Sequence, residues 1–469
     1  MKLKIKADLA MGAFLCACLI PSVGMLLLPE EPAAANQSLA PPPSLTTRDG
    51  GLNLRVLDET TEYIEDHFAL RQRLITANSA LEAVVFHTSA QDSVLLGEDG
   101  WLFYRETVDD YLHTDPLTDR ELFGAARTLA LLSEYTQNRG AALVFTVAPN
   151  KASLYSRYLP YVGRPLPLAD DIDRLIPLLE EQGVDYVDLF APFEEQYREH
   201  GQILYHATDS HWTNQGAALA HDTLVSGLGL ENRRPWFTQP GQIARAHRGD
   251  LYEMLYPTGE ALEEDVAFDQ PFTFTYVHPI RGPEDQRIQT QCPGQPGNLL
   301  MFRDSFGNTL YPFLAEEYGQ ALFSRAMPYQ MSLLDETGAD TVVIELVERN
   351  LDYLAQRAPI FPAPERLLSG EPAAGDATAQ LSIVEDSLLS LEGHIRLEGT
   401  LSGPLDTNSP VYVQLGGALY EASPVGAAED GACPFTLYVP DSSPLDDTRV
   451  LYLADGRLLQ AGQLDFEHT

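Results

Sequence analysis

Two short segments set residues of complementary chemistry at the ends of predicted elements. The apolar run 298–302 (NLLMF) reads as a buried strand, and Arg303, Asp304, Ser305, Phe306 and Gly307 lead from it into a helix near 308–318. A serine at a strand-to-helix turn presents its hydroxyl above the sheet. The unpaired N–H groups of the helix N-terminus behind it are placed to receive an oxyanion. Such a serine needs a base, and segment 205–214 (YHATDSHWTN) offers one. Asp209 and His211 stand two apart, just before a helix capped by Thr213 or Asn214. At that spacing on a turn, the carboxylate accepts from the imidazole Nδ1–H, which fixes the tautomer and leaves Nε2 for a serine proton. Of eleven histidines, only His211 has both this local orienter and an adjacent tryptophan, Trp212.

Each signal alone has an ordinary explanation, since Asp and Ser are common helix caps and Asp-x-His pairs abound. It is the combination that points to nucleophilic chemistry. A metal reading of His206, Asp209 and His211 lacks a further ligand, so no metal and no cofactor are expected. No Walker A loop, no G-x-G-x-x-G and no His-Glu-x-x-His occurs.

The elements that must position these residues alternate. Helical stretches near 117–138, 169–182 and 308–318 are interleaved with the apolar runs 142–148, 184–190, 298–302, 320–324 and 341–347. Buried strands separated by amphipathic helices predict an α/β domain, with a mainly parallel sheet covered on both faces. Ligands in such sheets bind beyond the carboxyl ends of the strands. Pro149, Asn150 and Lys151 follow the run 142–148 and so fall at one of those ends. Lys2, Lys4 and Lys6 are the other lysines, against twenty-six arginines, so Lys151 marks a place where arginine does not substitute.

Upstream, apolar positions from Arg55 to His87 recur at helical spacing. Segments 93–96 and 101–104 flank Gly97-Glu98-Asp99-Gly100, a hairpin signal in which Asp-Gly supplies the positive-φ corner. Residues 364–379 read as a linker, and 380–469 carries short alternating strands, the pattern of a small all-β sandwich. The expected organisation is 1–28 signal segment, 29–54 proline- and alanine-rich spacer, 55–363 α/β domain, 364–379 linker and 380–469 accessory domain.

Composition narrows the function classes. With 44% hydrophobic and 21% charged residues among 469, the chain can bury a core, which excludes disorder as its main state. Thirty basic against sixty-eight acidic side chains leave a formal charge of −38, and phosphate backbones and anionic lipids repel such a chain. Nucleic acid is therefore excluded as a partner. The run from Leu9 to Leu28 follows the three lysines and is long enough, at ~1.5 Å per residue, to cross a bilayer core. Whether it stays as an anchor or is cleaved near Ala33-Ala34-Ala35, the body is expected to be extracytoplasmic. Cys16 and Cys18 lie in that run, which leaves Cys292 and Cys433 as one possible pair.

Taken in order, the segments resemble a known family. Asp304-Ser305 after a strand resembles the nucleophile block of SGNH hydrolases, and Asp209-x-His211 their Asp/His block. Here the Asp/His block precedes the serine, a permuted order that marks the alginate O-acetyltransferase (AlgX/AlgJ-like) proteins and the related bacterial DHHW family. Segments 63–71, 97–104, 149–155, 249–251 and 344–349 also match, so the resemblance covers roughly 55–355. It departs in two places: the first His of Asp-His-His-Trp is Ser210, and the glycine usual before Asp-Ser is Arg303.

The resemblance implies an extracytoplasmic O-acetyltransferase that moves acetyl groups onto an envelope polysaccharide through an acetyl-enzyme. Ser305 would be the nucleophile, His211 the base and Asp209 its orienter, with a membrane acyltransferase supplying acetyl groups. Asn150, Lys151, Arg303 and Asn308 would serve as oxyanion or substrate-binding groups. A strongly acidic body disfavours an anionic polymer and favours a neutral or mixed one. The β-rich domain could hold the glycan, with Tyr412, Tyr420 and Tyr438 as stacking residues, although tyrosines in strands more often serve as core or rim packing. Two other readings stay open: a non-catalytic glycan-binding or assembly protein on the same fold, and a carbohydrate acetylesterase.

Overall fold

The computed structural model describes residues 39–467 except 48–49, 161–168, 232–233, 368–369, 404 and 427–430, together with residues 11, 21, 23–25, 27 and 28. Most of the expected signal segment and much of the spacer lie outside the described residues. Among those described, no helix is long and apolar enough to cross a membrane.

The helical periodicity over 55–87 resolves into two helices, Val56–His67 and Arg71–Leu81, followed by one π-helical turn at Glu82–Phe86. Between the helices Leu70 adopts φ 64°, a left-handed conformation that a continuous helix does not allow. The hairpin forms as expected, Val94–Leu96 pairing with Leu102–Tyr104. Asp99 and Gly100 at its corner both have positive φ.

Seven strands make the central sheet, in the order Tyr186–Val187, Ala142–Ala148, Thr341–Val347, Asn298–Phe302, Gln320–Ser324, Arg287–Gln291, Thr275–Tyr276. The first five run parallel and the last two are antiparallel to their neighbours. Alternate residues of each central strand enter opposite cores. Val144, Met301 and Val343 pack on one side with Phe193, Leu219 and Leu310 of the helices Phe190–His200, Asn214–Gly227 and Gly307–Leu314. Phe145, Phe302 and Ile344 pack on the other with Leu129 and Leu175 of Asp119–Gln137 and Asp171–Gln182. A strand buried on both faces carries no polar alternation, which is why these runs are nearly all apolar, interrupted at the buried Thr146 and Glu345. The two antiparallel strands Arg287–Gln291 and Thr275–Tyr276 and the hairpin Gly241–His247 with Glu263–Phe268 are not among the apolar runs of the sequence. Their sequences (TY, RIQTQ, GQIARAH) are short or polar and lack the apolar run on which strand assignment rested.

The C-terminal region forms two five-stranded sheets around a core that includes Leu381, Leu397, Val413, Phe435 and Tyr452. The expected linker is partly structured, because Ala373–Ala374 pairs with Arg457–Gln460. Glu421, its side chain fully buried, accepts from Arg127 of the helix Asp119–Gln137 at 2.6 and 2.8 Å and from Arg366 at 2.6 Å. Arg366 also forks onto Glu134. Arg120 donates to the carbonyls of Thr407 and Ser409. Tyr412, Tyr420 and Tyr438 are buried, as packing residues are, and so are not exposed to stack on sugars: Tyr420 joins the core of the domain, Tyr412 lies near Glu421, Arg127 and Arg366, and Tyr438 donates its hydroxyl to the Leu389 carbonyl. Cys292 and Cys433 are both buried and unpaired.

Candidate active site

Segment 206–211 is gripped from both sides of its backbone. Lys151, 1% exposed, donates from Nζ to the carbonyls of Leu102, Ala207 and Asp209 at 2.7, 2.7 and 2.8 Å. Glu263 accepts from the N–H groups of Ala207 and Thr208, each at 2.7 Å. Gly249 passes so close that a Cβ there would sit 2.2 Å from the Thr208 carbonyl oxygen, which explains the glycine before Asp250. Asp250 then accepts from the Ser210 N–H at 2.8 Å and from its hydroxyl at 2.6 Å.

This frame presents Asp209 and His211 to each other. Asp209 Oδ1 accepts from His211 Nδ1 at 2.8 Å and from the His211 backbone N–H at 2.9 Å. Ser210 Oγ lies 3.1 Å from the same Nδ1, and Asp250 Oδ2 3.6 Å away. Because Nδ1 carries the donated proton, Nε2 holds the lone pair, and Nε2 is buried without a hydrogen-bond partner. Burial opposes the imidazolium, but the hydrogen bond that His211 donates to Asp209 and the charges of Asp209 and Asp250 outweigh it, so the His211 pKa is raised. Burial also opposes the Asp209 carboxylate. The hydrogen bonds from His211 and His247 prevail and hold it well below the usual range.

The His211 ring packs on the ring of Phe306, centroids 4.9 Å apart, which brings the base beside the turn that carries Ser305. Asp304 shapes that turn. Its Oδ1 accepts from Phe306 N at 2.9 Å, and its Oδ2 from Val347 N at 2.7 Å and Asn350 Nδ2 at 3.0 Å. Ser305 precedes the helix Gly307–Leu314. Its side chain makes no hydrogen bond, to His211 or to any other described residue, and its backbone N–H is likewise unpaired.

Arg349 stands over the rings of Tyr104 and Phe306, 5.4 and 5.8 Å from their centroids. Beside it a cavity of about 380 Å³ is lined in part by Asp109, Asp110, Asp171, Glu348 and Asp352. Burial and neighbouring carboxylates push Asp110 up to about 6 and Glu348 up to about 8.

Four residues expected to meet substrate stand differently. Lys151 is enclosed by its three carbonyls and the rings of Trp101 and Phe103. It neither reaches solvent nor pairs with a carboxylate. Arg303 is 3% exposed and donates to the Pro283 carbonyl at 2.7 Å and to Asn308 Oδ1 at 2.5 Å, which engages Asn308 as well. Asn150 is fully buried, its amide donating to Asp110 Oδ2 at 2.7 Å. Lys151, Arg303 and Asn150 are buried and hold the turns around the site, while Asn308 is half-buried with its Oδ1 engaged by Arg303. His206 does not join Asp209 and His211. It stacks on His247, centroids 3.7 Å apart and 9° from parallel, with Asp265 3.3 Å from its Nε2. In-plane lone pairs of two parallel rings do not converge on one ion. His247 and Glu263 carried no sequence signal, since both lie on the unanticipated hairpin. Asp250 carried one in the Gly-Asp-Leu match.

Residues 94–276 match the family described as "SGNH hydrolase-like domain, acetyltransferase AlgX", a span that holds Asp209 and His211 and ends before Ser305. The chain is 29% identical over 210 residues to a probable alginate O-acetylase AlgJ of Pseudomonas putida, covering 44% of this chain and 52% of that protein. It is 24% identical over 228 residues to its namesake from Pseudomonas fluorescens, covering 46% and 56%. The chain thus spans about half the length of the curated relatives it matches. Among solved structures, the O-acetyltransferase domain of Pseudomonas putida AlgJ aligns at TM-score 0.37 and 23% identity over 55% of this chain and 92% of that one.

Proposed function

We propose that this chain, which carries an AlgX/AlgJ-like domain with an SGNH-hydrolase-like sheet, is an extracytoplasmic O-acetyltransferase that acetylates a polysaccharide through Ser305. The observation that carries the reading is the 2.8 Å bond from His211 Nδ1 to Asp209, which leaves Nε2 unpartnered next to the strand-to-helix turn of Ser305. In the proposed reaction Ser305 Oγ attacks the acyl carbonyl of the donor while His211 Nε2 takes its proton. That proton passes to the leaving group as the tetrahedral intermediate collapses to acetyl-Ser305. A sugar hydroxyl then attacks the acetyl carbon and gives its proton to His211, which passes it to Ser305 Oγ as the acyl bond to Ser305 breaks. The unpaired N–H of Ser305 is the nearest candidate for the oxyanion. Ser305 Oγ and His211 must close their gap when donor binds, as catalytic hydrogen bonds commonly tighten in the complex.

The acidic cavity beside Arg349 supports a neutral acceptor. Carboxyl groups hydrogen-bond sugar hydroxyls readily, whereas a polyuronate would meet like charge. The lysine-led apolar segment supports export, and a membrane acyltransferase is the proposed source of acetyl groups.

The test is turnover of an activated acetyl ester with and without neutral oligosaccharides. Acetylated sugar formed by the wild type and absent with Ser305→Ala supports transfer. Release of acetate alone, unchanged by any sugar, identifies an esterase.

A further inference from the structure

Asp209 is not a carboxylate with one client. While Oδ1 serves His211, Oδ2 accepts from His247 Nε2 at 2.9 Å and from the Asp250 backbone N–H at 3.0 Å. The second histidine comes from far along the chain, at the end of the strand Gly241–His247, where the pairing register with Glu263–Phe268 shifts. Such an irregularity re-aims a side chain, and here it turns His247 toward the loop of Asp209. Its ring is then held flat against His206. His206 is itself 3% exposed, with its Nε2 3.3 Å from Asp265 and its Nδ1 4.0 Å from Glu263.

Backbone N–H groups reach both oxygens, that of His211 on Oδ1 and that of Asp250 on Oδ2, and His247 adds a side-chain donor to Oδ2 that balances the pull of the His211 ring on Oδ1. Among the described residues, the charged and titratable groups facing His247 are Asp209, Asp265, Glu263 and His206, with Asp250 and Lys151 behind them.

We infer that His247 is a positioning residue: its Nε2–H holds Asp209 Oδ2 so that Oδ1 stays aligned with His211 Nδ1, while the stack on His206 holds His247. This rests on the proposed role of His211 as base. It adds a fourth member to the Asp-His-Ser set, one that acts through Asp209. Outer hydrogen-bond partners of this kind typically change activity by about 10–100-fold when removed.

Three forms of the full chain test it. His247→Phe keeps a ring on His206 and loses the donor, and His247→Gln restores an N–H at the distance of Nε2. Two readouts are taken: the rate of Ser305 acetylation by an activated ester, and the far-downfield proton resonance of His211 Nδ1–H bonded to Asp209, assigned with a His211 variant. The expected result is a loss of about 10–100-fold in kcat at unchanged KM for His247→Phe. Its Nδ1–H resonance is expected to broaden away, and both readouts to recover in His247→Gln. An unaltered rate and resonance in His247→Phe overturns the inference, and so does equal impairment in both variants. If the wild type forms no acetyl-enzyme yet the resonance follows the expected pattern, the acetyltransferase reading has failed and the role of His247 stands.

Discussion

Lys151 Nζ lies 2.8 Å from the carbonyl oxygen of Asp209, so the one lysine beyond residue six holds the segment that presents the acid to His211. An ammonium with three donors on a thin stem meets three converging carbonyls in a buried space between Trp101 and Phe103, where a planar guanidinium does not fit.

Lys151→Met should therefore cost about 2–5 kcal/mol, because three buried carbonyls lose their donor. Burial outweighs the pull of Asp209, Glu263 and Asp250 and lowers the Lys151 pKa to about 7, from 10.5 in an exposed lysine. Below about pH 7 both folded and unfolded chains carry the proton. Between there and 10.5 the unfolded chain binds more, so this lysine's contribution to stability rises with pH across that window. Urea unfolding at several pH values should show the slope in the wild type and its loss in Lys151→Met.

The raised pKa of His211 sets an acid limit on acylation. The free base is lost as pH falls through a value above the usual 6.5, so the single-turnover rate should drop below that point. Asp209→Asn should lower the maximal rate by about 10³–10⁴-fold, with little change in KM, because the amide no longer fixes the Nδ1–H tautomer. Stopped-flow acylation across pH measures both.

Glu421 joins the two domains through Arg127 and Arg366 and is fully buried. Glu421→Ala leaves two guanidinium groups without their shared partner and should destabilise the joint by about 3–5 kcal/mol. Calorimetry should then resolve a separate, lower transition for the β-rich domain, with the acylation rate at 25 °C nearly unchanged.

What was legible in the sequence follows from how each feature is encoded. The five parallel strands are apolar on both faces, so they stand out as runs. The Asp209–His211 pair is local, two residues apart on one turn. His247 and Glu263 reach the site from 38 and 56 residues away, on a polar hairpin whose pairing no run reveals. Lys151 and Arg303 were noticed for rarity and position. Charge on an unplaced residue suggests a ligand, and only the fold shows that backbone carbonyls surround them.

The central claim is an acetyl-enzyme on Ser305. The most direct measurement is the intact mass of the full chain after brief exposure to an activated acetyl ester, beside Ser305→Ala and His211→Ala. The account predicts a single acetyl adduct on the wild type, mapped by peptide digestion to Ser305 and absent from both variants. An adduct that persists in Ser305→Ala, or a wild type that neither gains mass nor turns over ester, would contradict it.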